Sequence, residues 1–425
     1  MMQIFKDKKT KAKCHIYQML KTHAKTKHFS FHTPGHKQSA WDITELSFAD
    51  NLSSPSGCIL QAEEDISALL NSAKSFILTD GSTCGVLSVL HTAKALGVEK
   101  IGVCLLSHQS LFNGLALLSL QPVLIPQQTD GVMPLTVTAE QVQCILDEVD
   151  AVFLTSPDYY GNIPDLEKIS SLCQAKNKLL IIDGAHGGHL HYHKDLYAGH
   201  YADLWVDGVH KSLPALTQGA VVSAKTQDLA EKLSEAVKIF RTTSPSYPIM
   251  ASVEYAIKFP QNTWLEKEVK SFTAYNKRII VNGDWTKLCV GFDDAFEVNK
   301  AFEKEGIYPE FCDGKIILFY LSPATSKRQF KHLKKRLLAY LKTFPYTEEN
   351  SIRQIPAPLP LKINAEWIPL EKSVGKVCAQ ACGLFPPCLP FIAVGEVIER
   401  EKVQILLSAK NTFGLRDKKI KVVKE

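Results

Sequence analysis

The chain has 425 residues, which is too long for one ordinary hydrophobic core, so two or three domains are predicted. Its 45% hydrophobic and 22% charged residues are typical of soluble globular proteins, and its formal charge of +5 is small for this length. Lysines cluster near both ends of the chain, but solvated tails explain them better than nucleic-acid binding, which we do not expect.

Membrane and metal-binding classes are also disfavoured. No apolar run approaches the roughly 18 residues of a membrane span, and residues 1–9 hold no apolar stretch of signal-peptide length. Of the eleven cysteines, Cys378 and Cys382 form a lone CxxxC, and no CxxC pair occurs. We therefore expect buried reduced thiols, no zinc site, no membrane contact and a cytoplasmic location.

The chain divides by its local patterns. Residues 1–30 have the composition of a basic, partly helical arm, and residues 31–260 begin with a turn-rich stretch. From residue 75 to residue 223, short apolar runs alternate with amphipathic segments, which predicts an α/β domain with a mostly parallel sheet covered on both faces. The predicted strands are Ser75–Leu78, Ile101–Leu105, Pro122–Ile125, Ala151–Leu154, Lys178–Ile182, Asp203–Val206 and Gly219–Ser223. The predicted helices are Thr83–Leu96, Ser110–Leu118, Ala139–Asp147, Asp165–Lys176 and Leu229–Phe240.

The pattern changes beyond residue 260. Residues 261–348 mix helices and strands, which predicts a smaller α+β domain. Residues 349–425 include the Pro-rich segment 355–360, which is typical of a linker or an edge segment, and then a stretch long enough for a compact C-terminal domain.

Two predicted strand ends carry the residue types that pyridoxal phosphate (PLP) chemistry requires. Asp183 ends the apolar run 178–182, and Lys211 follows the run 202–206. A lysine amine can hold the PLP aldehyde as a Schiff base, and a carboxylate can keep the pyridine nitrogen protonated. Taken alone, such residues are more often a helix cap and a solvated surface charge.

Further polar residues fall at strand–helix junctions, where ligands bind in α/β sheets. Ser82 and Thr83 open a helix and suit a phosphate, although both are also ordinary N-caps. His108 at the next junction can cover a pyridine ring, or it can serve as a cap or a core histidine. The hydroxyl-rich turn 241–248, which begins with Arg241, suits an anion as well as it suits an ordinary capped turn.

The residues that flank the two strand ends complete the candidate cofactor site. Ala185 offers a small surface to the ring, and His186 is placed to hydrogen-bond the ring hydroxyl. His210 can stack on the cofactor or relay protons, and Ser212 can bind phosphate. The histidines between residues 186 and 193 also allow a metal site, but no Cys or Glu stands nearby at ligand spacing, so we predict no metal.

Seven motifs follow one another along the chain: His32-Thr33-Pro34-Gly35-His36-Lys37, Asp80-Gly81-Ser82-Thr83, His108-Gln109-Ser110, Thr155-Ser156-Pro157-Asp158-Tyr159-Tyr160-Gly161, Asp183-Gly184-Ala185-His186-Gly187, His210-Lys211-Ser212-Leu213-Pro214-Ala215-Leu216-Thr217-Gln218 and Thr243-Ser244-Pro245-Ser246-Tyr247. The C-terminal region adds Glu371, Gly375, Phe385-Pro386-Pro387 and Val394-Gly395-Glu396. In this order the set resembles the Orn/Lys/Arg decarboxylase family from about residue 30 to residue 400. The resemblance implies the aspartate-aminotransferase-like PLP fold (fold type I) and PLP as the cofactor.

The resemblance also implies roles for individual residues. Lys211 would bind the cofactor aldehyde, Asp183 would face the pyridine nitrogen, and His108 would stack on the ring. The phosphate would be held by Ser82, Thr83 and Ser212.

Family enzymes are dimers with shared active sites, so a homodimer is expected. Thr243 and Ser244 would then serve the partner subunit's cofactor, and Glu396 is the candidate for binding a cationic substrate side chain. Large family members carry an N-terminal receiver-like domain, whereas this chain begins almost directly at the His-Thr-Pro-Gly-His motif and resembles the short form.

This sequence departs from the family pattern while it retains Lys211 and Asp183. The departures are Asp80 for the usual Asn, Gln109 for Lys, Gly184 for the Glu common in short members, Cys388 for Gly and Val394 for Pro.

The predicted function is PLP-dependent decarboxylation of lysine, ornithine or arginine to the amine and CO2. Another PLP-dependent lyase or aminotransferase would differ only in which Cα bond stands perpendicular to the ring. Two more hypotheses stay open, namely a PLP-binding protein without efficient turnover and a metal-dependent hydrolase built on the histidines of residues 186–193.

Overall fold

The computed structural model describes residues 4–104, 107–130, 133–347, 353–354, 364–384, 391–392, 394–409 and 411–424. The helices are α1 (Lys8–Ala12), α2 (His15–His23), α3 (Cys58–Leu70), α4 (Gly81–Ala95), α5 (Gln109–Leu118), α6 (Ala139–Gln143), α7 (Leu166–Ala175), α8 (Val209–Ser212), α9 (Gln227–Phe240), α10 (Tyr247–Ile257), α11 (Thr263–Thr273), α12 (Ala295–Lys304), α13 (Lys327–Thr343) and α14 (Arg400–Ser408). The strands are β1 (Lys74–Leu78), β2 (Lys100–Val103), β3 (Gln121–Leu124), β4 (Gln128–Thr129), β5 (Ala151–Thr155), β6 (Leu179–Gly184), β7 (Leu204–Asp207), β8 (Ala220–Ala224), β9 (Ile279–Ile280), β10 (Lys287–Gly291), β11 (Phe311–Cys312), β12 (Ile316–Tyr320), β13 (Arg353–Gln354), β14 (Ala365–Pro369), β15 (Gly383–Leu384), β16 (Thr412–Phe413) and β17 (Lys419–Val423).

A seven-stranded sheet organises the first two thirds of the chain, in the order β1-β8-β7-β6-β5-β2-β3. Strands β3, β2, β5, β6 and β7 pair in parallel, and β8 runs antiparallel to both of its neighbours. Parallel strands require crossover connections, and most of those in this sheet contain an α-helix. The strands β6 and β7 are instead joined by a segment with two short 3-10 helices, Gly188–Tyr192 and Ala198–His200. The predicted α/β architecture with a mostly parallel sheet is confirmed.

Helices cover both faces of this sheet, because successive strand residues point to opposite sides. On one face Ile181 of β6 packs in a cluster with residues of α4, α5 and α9. On the other face Leu180 and Ile182 pack with residues of α2, α3, α7 and α10. The carboxyl ends of the strands therefore emerge between two packed layers, where junction loops can form a pocket.

The N-terminal segment contributes to this core. Lys8 and Lys9 are exposed as expected for basic residues, but Ile16 and Leu20 of α2 are fully buried. The carboxylate of Glu254 in α10 accepts hydrogen bonds from the first two N–H groups of α2, at 2.6 and 3.0 Å. A buried acid thus satisfies the helix N-terminus, and α2 belongs to the packed unit rather than to a solvated tail.

Two smaller units follow. The antiparallel sheet β11-β12-β10-β9 packs with α11, α12 and α13 around a core that includes Phe272, Phe302 and Phe330. Nearer the C-terminus, β14 pairs with β17 over a cluster that includes Leu370 and Val422. These units agree with the predicted α+β and C-terminal parts of the fold.

Some predictions differ from the structure or fall outside it. The predicted helix Ala139–Asp147 is α6 followed by a separate 3-10 turn, Leu146–Glu148. The Pro-rich segment 355–360, the Phe385-Pro386-Pro387 motif and Cys388 lie outside the described residues. Within the described ranges, none of the helices combines the length and apolar character that a bilayer span requires.

Candidate active site

A cavity of about 220 Å³ opens at the carboxyl ends of β1, β2, β5, β6 and β7. Sequence motifs that are far apart along the chain meet here because parallel strands end at the same edge of the sheet. The predicted site residues that line the cavity are Ser82, Thr83, His108, Asp183, Ala185, His186, His210 and Lys211.

Lys211 lies in the short helix α8, directly after β7. Its amine is 3.1 Å from Nε2 of His186, which belongs to the loop after β6. Next to it, both the backbone N–H and the ring Nδ1 of His210 contact the carbonyl of Gly219, at 3.0 and 2.9 Å. The backbone around Lys211 is therefore anchored while its amine reaches the cavity.

Asp183 lies near the end of β6 and is only 4% exposed. Its Oδ1 accepts a hydrogen bond of 3.0 Å from the N–H of Ala185, and this contact fixes the turn that follows the strand. The carboxylate lines the cavity together with Lys211, as the sequence predicts.

His108 is both a helix cap and a cavity residue. Its Nδ1 accepts from the N–H of Ser110 at 3.2 Å, and the Ser110 hydroxyl is 2.8 Å away. The imidazole also lines the cavity, so His108 can cap the helix and still face a bound ring. Burial is the main cause that lowers the pKa of His108, and the charge of Lys211 adds to it.

Two predicted phosphate-binding hydroxyls have no protein partner. Ser82 Oγ and Ser212 Oγ are buried and have no hydrogen-bond partner among the described residues. Ser82 lines the cavity, whereas Ser212 is not among the lining residues. Ser82 stands in the first turn of α4, where the helix N–H groups favour an anion. A polar ligand that accepts hydrogen bonds, such as a phosphate, fits these groups, because buried polar atoms are normally satisfied.

The backbone approaches closely beside these hydroxyls. A Cβ on Gly208 would lie 2.4 Å from the carbonyl oxygen of Ala185 and 2.8 Å from Ser82 Oγ. Only glycine allows the start of α8 to pack against both loops. Asp80, by contrast, accepts a hydrogen bond from Thr242 N at 3.3 Å and is not among the residues that line the cavity.

Other predicted site residues lie elsewhere in the single chain. Thr243 and Ser244 are exposed and outside the cavity lining, and the Glu396 carboxylate pairs with Lys402 in the C-terminal unit. Arg241 is buried and donates to the carbonyls of Leu52 and Ile77 at 2.6 and 3.2 Å. Its guanidinium is used inside the fold, so the structure favours the ordinary turn over anion binding.

The histidines after β6 do not share a centre. His189 contacts Asp284 at 2.9 Å, His191 contacts the Gly188 carbonyl at 2.7 Å, and His193 lies 3.4 Å from Glu266. Because each ring has a different partner, the metal-site hypothesis gains no support from the described residues.

Elsewhere in the described ranges, one group of side chains has the spacing of metal ligands: His15, Asp65 and Glu254. The amine of Lys258 already lies 2.6 Å from Asp65 and 2.8 Å from Glu254. A lysine ammonium thus already pairs with both carboxylates.

The sequence did not reveal the contribution of the antiparallel unit. Tyr320 at the end of β12 contacts His186 Nδ1 at 2.9 Å. Lys287 at the start of β10 donates to the His186 carbonyl at 2.9 Å and pairs with Asp284 at 2.8 Å. Burial, and then the charges of Lys211 and Lys287, lower the pKa of His186 well below its ordinary value, so the imidazole is neutral.

Known proteins share both the sequence pattern and the fold of this chain. The family model for the Orn/Lys/Arg decarboxylase major domain matches residues 39–279. The chain is similar to the uncharacterized protein YaaO of Bacillus subtilis, with 27% identity over 92% of this chain and 93% of that protein. It is also similar to an arginine decarboxylase of Halalkalibacterium halodurans, with 24% identity over 90% of each chain.

Solved structures show the same fold. The constitutive lysine decarboxylase of Escherichia coli aligns with a TM-score of 0.71 at 18% identity, over 97% of this chain and 82% of that chain. A structure of SPT with PLP aligns with a TM-score of 0.56 at 13% identity, over 79% of this chain and 85% of that chain. The predicted α/β fold of the PLP type is therefore confirmed.

Proposed function

The chain belongs to the Orn/Lys/Arg decarboxylase family, and on that premise we propose that it is a PLP-dependent decarboxylase of lysine, ornithine or arginine. The observation that carries the proposal is the meeting of Lys211, Asp183 and the unpartnered hydroxyl of Ser82 in one cavity at the edge of the sheet. These groups match an aldehyde, a pyridine nitrogen and a phosphate, which are the three recognition elements of PLP.

Each part of the cavity would hold one part of the cofactor. The Lys211 amine would hold the aldehyde carbon, and the Asp183 carboxylate would hold the pyridine nitrogen in its protonated form. Ser82, Thr83 and Ser212 would hold the phosphate, and His108 would cover the ring. Bound PLP supplies an electron sink for the charge that stays on Cα when CO2 departs.

The neighbouring residues orient the lysine and exclude water. His186 is buried and neutral, and its Nε2 lies 3.1 Å from Nζ of Lys211, so it can accept a hydrogen bond from the amine. Ala185 and Tyr159 line the same cavity. His210 stands beside Lys211 with its backbone and ring anchored on Gly219.

A basic substrate agrees with the acidic residue in the cavity. Asp158 lines the cavity, and burial raises its pKa to about 6 despite hydrogen bonds from Asn162 and Tyr160 N. A substrate side chain with a positive charge would stabilise the ionised form of this carboxylate. The names of the arginine and lysine decarboxylases to which the chain is similar point to the same substrate class.

A homodimer with shared sites is part of the proposal. Thr243 and Ser244 are exposed in the single chain, which suits residues that reach a partner's cofactor. Glu396, which pairs with Lys402 in the single chain, is proposed to bind the cationic end of a substrate. A cytoplasmic location and a role in polyamine biosynthesis are proposed with the same function.

The proposed function is tested by product analysis. The purified protein is loaded with PLP and incubated separately with lysine, ornithine and arginine, and cadaverine, putrescine and agmatine are measured by mass spectrometry. One of these amines should appear with the wild-type protein and be absent with Lys211→Ala. If PLP binds but no amine forms, the decarboxylase proposal is wrong, and a keto acid or an elimination product would identify a different PLP reaction.

A further inference from the structure

The contacts of Tyr320 determine which nitrogen of His186 carries hydrogen. The Tyr320 hydroxyl lies 3.2 Å from the carbonyl oxygen of Tyr159 and 2.9 Å from Nδ1 of His186. A carbonyl oxygen only accepts, so the single hydroxyl hydrogen goes to Tyr159. Both contacts are hydrogen bonds only if the phenol oxygen accepts from an N–H at Nδ1 of His186.

The other side of the ring leads to the same assignment. Nε2 of His186 faces the Lys211 amine at 3.1 Å, and a protonated lysine amine can only donate. A neutral imidazole that carries hydrogen on Nδ1 has its lone pair on Nε2, and this lone pair accepts from Lys211. Two independent contacts therefore require the same tautomer.

We propose that Tyr320 is a positioning residue of the active site, which holds His186 as the Nδ1–H tautomer so that the Nε2 lone pair faces Lys211. The tautomer belongs to the protein alone, and only its consequence for the lysine rests on the proposed function. A hydrogen-bond acceptor next to the amine fixes the position of the amine before it binds a carbonyl carbon.

Other contacts keep Tyr320 and His186 in place. The Lys287 amine donates to the His186 carbonyl at 2.9 Å and lies 4.6 Å from the centre of the Tyr320 ring. Burial raises the pKa of Tyr320 well above its ordinary value, so the phenol keeps its hydrogen. The titratable groups that face His186 from the surrounding elements are His108, Tyr159, Lys211, Asp284, Lys287 and Tyr320.

The test reads the tautomer directly in the protein without cofactor. The protein is labelled with ¹⁵N-histidine, and the ring nitrogens of His186 are identified by the signals that disappear in His186→Gln. The wild-type protein should show a protonated Nδ1 and an unprotonated Nε2 at neutral pH. If the hydrogen is on Nε2 in the wild type, the proposal is wrong, whatever the variants do.

The variant Tyr320→Phe removes the hydroxyl and keeps the ring. The Nδ1–H then loses its buried acceptor, and the ratio of the two tautomers should change by at least roughly fivefold, the lower limit expected for one unmet buried hydrogen bond. A ratio within twofold of the wild-type ratio, measured on folded protein, would contradict the proposal.

Tyr159→Phe is the matched control. The Tyr159 ring also packs against His186, with 5.2 Å between ring centres, but its hydroxyl donates to Glu310 at 2.9 Å. The backbone carbonyl that accepts from Tyr320 remains, so the tautomer should not change. A chain that shows the expected tautomer but makes no amine would refute the proposed function and leave the role of Tyr320 intact.

Discussion

Replacement of Lys287 by methionine should destabilise the protein strongly, because it breaks a buried ion pair. The Lys287 and Asp284 side chains are 1% and 0% exposed, and their charged atoms lie 2.8 Å apart. The amine also donates to the His186 carbonyl at 2.9 Å and to the Thr286 hydroxyl at 3.0 Å. Removing one member of such a pair leaves a buried charge, which costs about 3–5 kcal/mol in the free energy of unfolding.

The pH dependence of this effect follows from the pKa of Asp284. Burial raises that pKa, but the His189 and Lys287 side chains outweigh burial and hold it well below its ordinary value. A lowered carboxyl pKa contributes stability in full above the unfolded value near about 4, and the contribution is lost as the pH falls further. The difference between wild type and Lys287→Met should thus be constant from about pH 6 to pH 8.

Urea unfolding of the wild type, Lys287→Met, Asp284→Asn and the double variant measures the coupling. The double variant buries no unpaired charge, so its loss should be smaller than the sum of the single losses by about 2 kcal/mol. Lys176→Met is the control, because its pair with Asp147 has the same 2.8 Å distance but is 53% and 79% exposed. Additive single effects, or a loss at Lys287 no larger than at Lys176, would refute the reasoning.

Two further predictions concern Asp207 and Gly208, at the end of β7. Gly208→Ala should weaken PLP binding about tenfold or more, because the new methyl group would clash with the Ala185 carbonyl and with Ser82 Oγ. The affinity for PLP is measured by absorbance titration, with Gly57→Ala as the control. An affinity equal to that of the wild type would contradict the prediction. Burial raises the pKa of Asp207 to about 7 in the folded chain, whereas an unfolded Asp has a pKa of about 4. Between these two pH values the folded chain binds more protons than the unfolded chain. The free energy of unfolding therefore falls as the pH rises through that window. Thermal melting at pH 5 and pH 8 should show this loss in the wild type and a smaller one in Asp207→Asn; equal losses would show that Asp207 is not its source.

Much of the large unit could be predicted from local pattern. The strand β6 is a continuous apolar run, and α9 buries Ala230, Leu233 and Val237 at helical spacing behind the N-cap Thr226. The break between α6 and the turn Leu146–Glu148 was missed, because no Gly or Pro marks it in the sequence.

The candidate site was predictable where a residue type stands directly at a strand end. Asp183 and Lys211 are of this kind, since neighbouring parallel strands bring their ends together. Tyr320 was not predictable, because it lies 134 residues from His186 and its segment has the pattern of an ordinary strand. Arg241 shows how a sequence pattern can suggest the wrong role. An arginine in a hydroxyl-rich turn is typical of an anion site, but in the fold its guanidinium donates to the carbonyls of Leu52 and Ile77.

The central claim is that the cavity binds PLP through Lys211. The most direct measurement is to load the protein with PLP, reduce it with borohydride, digest it and map the added mass by mass spectrometry. The cofactor mass should be found on the peptide that contains Lys211, and Lys211→Ala should retain none after denaturation. Reduced cofactor on a different lysine, or equal retention by Lys211→Ala, would contradict the account.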